Sequence, residues 1–242
     1  MNNVNNLIEA SKKPLLQDPS LIPIVECFEE LVLLQDSHKI KVEPVWNTQD
    51  RFEGPLYRHY ISKNPGYKGV YVRSSVVDKL KKAESDIPDR WILIVRAGHR
   101  PVAIQRALFT MVRDELRKVH SSLKEAELTE LTREYVADPS QKASPHCVGS
   151  AIDIEAVDSV SGQLIDFGSP MNEDSEISNL HSSLVSKDQY ENRLKLLSLM
   201  LKVGFAPLQS EWWHYSYGDQ NWAAFYSEPN SIYDTREIEV TL

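Results

Sequence analysis

Cysteine is scarce in this chain. Cys27 and Cys147 are the only two in 242 residues, too few for a secreted scaffold built on disulfides. Positive charge is short as well. The 27 Lys and Arg residues face 35 Asp and Glu, for a net charge of -8 and a pI of about 5.4. That balance argues against a nucleic-acid binder, which needs a basic face to displace counterions, and against docking to anionic lipid. Long hydrophobic runs are missing too. The longest, Trp91-Ile-Leu-Ile-Val95, is far too short to cross a bilayer. The opening MNNVNNLIEASKKPLLQDPS has no basic stretch leading into an apolar core and a small-residue cleavage site, so no secretory signal is read. Internal repeats and low-complexity tracts are absent. A soluble, cytoplasmic protein is the expectation.

What is present is ordinary for a globular domain: 41% hydrophobic and 26% charged residues. A chain of this length can bury a core large enough to fold without a staple. Residues 1–20 are polar and weakly patterned, which predicts a loose N-terminal arm, with one domain over 21–242. The apolar residues of Leu21–Leu34, interleaved with Glu, predict a short helix. Residues 35–75 carry Pro44, Gly54, Pro55, Pro65 and Gly66, which predicts loops and short strands. Helical spacing follows at Val76–Ser85, then a buried strand at Trp91–Arg96. Pro101 opens a long amphipathic helix to about His120, and Leu123–Ala137 is a second. Ser150–Val157 alternates as a strand does. Asp188 is the expected N-cap of a helix stopped by Gly204, with strands at Phe205–Leu208 and Glu211–Tyr217 and an irregular tail from Gly218. The pattern is α+β: a single domain with a small mixed or antiparallel sheet flanked by helices.

Seven histidines are spread along the chain, and most need do no chemistry. His120 closes a helix, where a cation suits the dipole. His146 and His214 differ in having acidic company: SPHCVGSAID places Asp153 after His146, and EWWH places Glu211 before His214. Two histidines and one carboxylate can hold zinc and leave a fourth position for water. A further carboxylate could then serve as base. His146, Asp153 and His214 fit as ligands and Glu211 as base. Spacing alone leaves this open, because both separations are odd and a regular strand would turn the pairs to opposite faces. Gly149 offers a bend. The rival readings are a loop entering a buried strand, or Cys147 closing the site as a fourth ligand.

Together these stretches resemble the D-alanyl-D-alanine dipeptidases of the vancomycin-resistance type, whose patterns look like S-x-H-x-x-G-x-A-x-D and E-x-W-H. Here they read Ser144–Asp153 and Glu211–His214. A third motif, a strand ending in an aromatic-Arg-Pro turn, is matched by Gly98-His99-Arg100-Pro101. Glu191-Asn-Arg193-Leu and Gly204-Phe205 also look like the family's helix and strand before the glutamate. The resemblance runs from about residue 50 to the end. It implies the Hedgehog/DD-peptidase fold and a zinc peptidase of short D-amino-acid dipeptides, with one zinc on His146, Asp153 and His214. It also implies Glu211 as general base and Arg100 aimed at the scissile carbonyl oxygen. Ser144 would lie near the substrate's amino end, and Trp213 would line the site. Three positions depart from the pattern: Ala97 stands where an aspartate is usual, His99 where a tyrosine is, and Asn172 where an acid grips the substrate's ammonium. Asparagine brings no charge, so that grip should weaken unless Glu173 or Asp174 replaces it. A carboxypeptidase or amidase of longer cell-wall peptides, and a non-catalytic zinc-stabilised binding module, are the alternatives.

Overall fold

The run WILIV becomes an inner strand of a sheet because its β-branched and aromatic side chains suit a pleated surface covered on both sides. Trp91, Leu93, Ile94 and Val95 are all buried. The computed structural model describes residues 2–48, 53–140, 144–173 and 175–238. Its strands are β1 (Leu31–Leu33), β2 (Ile40–Val42), β3 (Tyr71–Arg73), β4 (Trp91–Ala97), β5 (Ala151–Asp158), β6 (Ala206–Leu208) and β7 (Glu211–Ser216). Its α-helices are α1 (Asn2–Ser11), α2 (Glu53–Lys63), α3 (Ser74–Ala83), α4 (Val102–Val119), α5 (Glu125–Tyr135), α6 (Lys187–Lys202) and α7 (Gln220–Tyr226).

Five strands form one mixed sheet in the order β2-β4-β5-β7-β6, with β2 parallel to β4 and the other pairs antiparallel. β1 and β3 pair separately. Val76 and Leu80 of α3 and Leu196 and Met200 of α6 join Leu93, Val95, Ile152 and Ile154 in the main core. Each such side chain contributes roughly 1.5–3 kcal/mol by leaving water. Tyr57 of α2, Ile104 of α4, Val45 and Tyr67 make a second cluster. No helix among the described residues is long and apolar enough to cross a membrane.

Two irregularities in pairing matter for the site. The β4–β5 register shifts between Val95 and Ala97, just before Arg100. The β6–β7 register shifts between Pro207 and Leu208, opposite the start of β7. Bulges of this kind bend a strand and re-aim its side chains.

Five expectations are corrected. Residues 35–75, read as loops and short strands, also contain the helix α2, with Gly54 and Pro55 in its first turn. Residues 21–34 hold no α-helix. Pro19–Leu21 is a single 3-10 turn, Ile24 bridges to Ser231 and β1 follows. Glu26 and Glu29 explain why: Arg73 binds the Glu26 carboxylate, while Glu29 caps the start of α3 through Ser75 N–H and the Ser74 and Ser75 hydroxyls. The tail from Gly218 is not wholly irregular, since Asp219 accepts from Trp222 N–H and starts α7. Ser186, rather than Asp188, caps α6, in a capping box with Gln189. Where a loose arm was expected, residues 2–11 form α1. Val4, Leu7 and Ile8 pack on the main core, and Ser11 Oγ lies 2.8 Å from His181 Nε2.

Candidate active site

The segment after Ser144 folds back before entering β5. Val148 N–H donates to Ser144 C=O at 3.1 Å and Gly149 N–H to His146 C=O at 3.0 Å. Gly149 has φ +74°, and a Cβ there would stand 2.2 Å from Leu31 Cδ2, so only glycine fits. This turn answers the parity problem: His146 lies before the strand and owes nothing to its alternation. Asp153 and His214 are direct cross-strand partners in the β5–β7 ladder, which puts both on one face.

The three side chains converge. Asp153 Oδ2 lies 3.3 Å from His146 Nε2 and Oδ1 lies 3.2 Å from His214 Nδ1. One ligand atom from each falls within 4.8 Å of the others. His146 Nδ1 is 2.8 Å from the Gly98 carbonyl. A carbonyl can only accept, so that nitrogen carries the proton and Nε2 presents its lone pair to the cluster. His214 Nε2 is buried without a protein partner, leaving Nδ1 to face Asp153. Burial pushes the Asp153 pKa up, but the two histidines outweigh it and hold it well below the ordinary carboxylate range. The donor set fits a metal ion: an imidazole and a carboxylate on paired strands and a second imidazole on the turn before them, with that one's tautomer fixed from behind. Cys147 is not part of this cluster among the described residues. Its sulfur faces Gln105 Oε1 at 4.0 Å, and burial pushes its pKa up to about 11.

A cleft of about 660 Å³ opens over the cluster. Glu211, Arg100, Ser144, Asn172 and Trp213 line it beside the two histidines and Asp153. All eight residues singled out from sequence therefore meet in one place. Glu211 Oε2 lies 3.6 Å from His214 Nδ1. Burial raises its pKa above the usual carboxylate value, and the charge on Asp153 adds to this against the pull of His214, His146 and Arg100. Asn172 sits at φ +60° next to Glu173, which also lines the cleft and accepts from Ser175 Oγ at 3.0 Å. Asp174 lies outside the described residues.

The family's sequence model, described as D-ala-D-ala dipeptidase, matches residues 70–233. This chain belongs to that family, Peptidase_M15. A D-alanyl-D-alanine dipeptidase of Synechocystis is 27% identical over 232 residues, covering 86% of this chain and 89% of the relative. One of Enterococcus faecalis is 30% identical over 190 residues, 76% of this chain and 88% of its own. Among solved structures, VanYB in complex with D-Alanine-D-Alanine aligns over 67% of this chain and 81% of that one, at 17% identity and a TM-score of 0.41. The chain is thus a metallopeptidase of the D-ala-D-ala dipeptidase family.

For a family member, one departure and the setting of the matched arginine gain a physical account. His99 is buried away from the cleft, with Nε2 2.7 Å from the Arg236 carbonyl. Tyr57 and Tyr67 donate their hydroxyls to its backbone carbonyl. Arg100 is not free to reach out as a lone cation. Its Nη1 donates to Gln105 Oε1 at 2.8 Å and its Nη2 to Glu53 Oε1. Sequence reasoning missed both partners. Gln105 leaves a faint signal, a polar side chain beside Ile104 on the buried stripe of α4. Glu53, 47 positions from Arg100, leaves none.

Proposed function

We propose that this chain is a zinc-dependent dipeptidase that hydrolyses D-Ala-D-Ala or a similar short D-amino-acid dipeptide, with one zinc per chain. The observation that carries the reading is the meeting of His146, Asp153 and His214 with Glu211 and Arg100 in one cleft. The curated relatives, each named D-alanyl-D-alanine dipeptidase, support the substrate. His146 Nε2, an Asp153 oxygen and His214 Nδ1 would hold the metal. Zinc supplies, when bound, a lowered pKa for water and polarisation of the scissile carbonyl.

Glu211 takes a proton from the attacking water and returns it to the leaving amine nitrogen as the peptide bond breaks. Its raised pKa suits a group that must both accept and give up that proton. Arg100 donates to the carbonyl oxygen as it becomes an oxyanion. Arginine has five donors; Glu53 and Gln105 occupy two, and Nε has no protein partner. Ser144 serves the substrate's amino end, Asn172 accepts from its ammonium without supplying charge, and Trp213 forms a wall.

A second reading has its own support. The cleft reaches Tyr135 and Val136 at the end of α5 and Glu176 and Ser210 beyond the site, more room than two alanines fill. This favours a carboxypeptidase or amidase of longer cell-wall peptides. Release of D-alanine from free and from N-acylated D-Ala-D-Ala, with zinc or with chelator, tests both. Zinc-dependent cleavage of the free dipeptide supports the first reading, and cleavage of the acylated one alone replaces it with the second. Failure on both substrates by zinc-loaded protein rules out both.

A further inference from the structure

Arg100 leaves the sheet at the end of β4, and its main chain is locked to the loop that carries His146. Arg100 N–H donates to His146 C=O at 3.0 Å, and Gly98 C=O takes the His146 Nδ1 proton. This fixes where the side chain starts and leaves open where its guanidinium ends. The neighbouring residues Ala97, Gly98 and His99 provide no acid to aim it. The aim comes from two other elements. Glu53, the first residue of α2, takes Nη2, and Gln105 of α4 takes Nη1 at 2.8 Å. Gln105 is itself oriented, because its Nε2 donates to Ala137 C=O at 2.8 Å. Glu53, Arg100 and Gln105 are all at least nine-tenths buried, so water does not compete for these contacts.

We infer that Glu53 is a positioning residue: with Gln105 it clamps the two ends of the Arg100 guanidinium and presents the remaining donors to the cleft. The inference rests on the reading that Arg100 meets the oxyanion. A planar fork held at one nitrogen can still swing; held at both by groups on separate helices it cannot. Small misplacement of a group that acts in the transition state is expensive in rate. A merely structural ion pair would instead tie α2 to the domain and leave turnover to the folded fraction.

The test is a double-mutant cycle of Glu53→Gln and Arg100→Ala, with kcat and KM measured on D-Ala-D-Ala by zinc-loaded protein. Glu53→Gln is expected to lower kcat about 10- to 100-fold with KM within about twofold, the signature of an interaction made in the transition state. Adding Glu53→Gln to Arg100→Ala should cost almost nothing further, because the group it acts through is gone. Glu53→Asp, which keeps the charge, should recover part of the loss. Multiplying losses in the double variant, or an unchanged kcat in Glu53→Gln, would overturn the inference. A second readout needs no turnover. In arginine-labelled protein, NMR should show slowed rotation and exchange of the Arg100 Nη protons, lost in Glu53→Gln while zinc content stays the same. Identical Arg100 signals in both proteins would refute the clamp even if the wild type cleaves no dipeptide. Loss of the signals in an inactive protein would uphold the clamp and sink the proposed function instead.

Discussion

His99 shows how one buried side chain can set the acid limit of the whole domain. It is 1% exposed, and burial drives its pKa down to about 4 from 6.5, with Arg73, His146 and Arg100 adding repulsion against the pull of the Arg236 carbonyl. The folded value lies below the unfolded one, so between them the unfolded chain binds the extra proton. The stability from a neutral His99 is complete above about 6.5 and is lost as pH falls toward 4. Between pH 7 and 5 this amounts to about 2 kcal/mol. Urea midpoints at the two pH values should show that drop in the wild type and a smaller one in His99→Gln; equal slopes would refute it. At Glu211 the expectation concerns rate. Glu211→Ala should retain its metal by elemental analysis and lose turnover by about 100-fold or more, whereas His146→Ala should lose the metal. Asn172→Asp should lower KM for a free dipeptide by restoring charge beside the ammonium, with little change for an N-acylated one.

At the scale of elements, α6 holds the loop that carries Asn172. Arg193 is fully buried and donates to the carbonyls of Phe167 at 2.6 Å, Ile177 at 2.8 Å and Asn179 at 2.6 Å. Arg193→Met would strand all three acceptors. It should destabilise the fold by about 2–4 kcal/mol, read as a lower denaturant midpoint, and raise KM by loosening Asn172. These elements also mark how far the sequence could be read. β4, β5, α4 and α6 follow from local pattern alone, and seven of the eight site residues follow from three short motifs whose spacing survives without any tertiary knowledge; Asn172 stands outside them, at a departure from the family's pattern. The missed elements obey long-range terms. α2 reads as a loop because Gly54 and Pro55 break helical patterns, yet both fall in its first turn, where proline is tolerated. β1 reads as helix until Arg73 and the start of α3 claim Glu26 and Glu29. Glu53 was invisible because nothing near it in the chain shows what it faces.

For the molecule as a whole, the groups proposed to hold the metal come from the turn before β5, from β5 and from β7. An ion bound there joins parts that are separate in the unfolded chain, so metal should stabilise by mass action. Zinc at about 100 times its Kd should add about 2.7 kcal/mol. The thermal midpoint should rise with zinc and fall with chelator, and His146→Ala should respond to neither. The pairing of Asp153 with His214 carries this further. Sliding β7 by one residue against β5 would turn one of the two side chains to the opposite face, and the ion would lose a donor. Bound metal is therefore a gauge of correct assembly. Copies whose strands met out of step would come through a refolding mixture metal-poor, and metal content per chain would count the properly built fraction before any substrate is added.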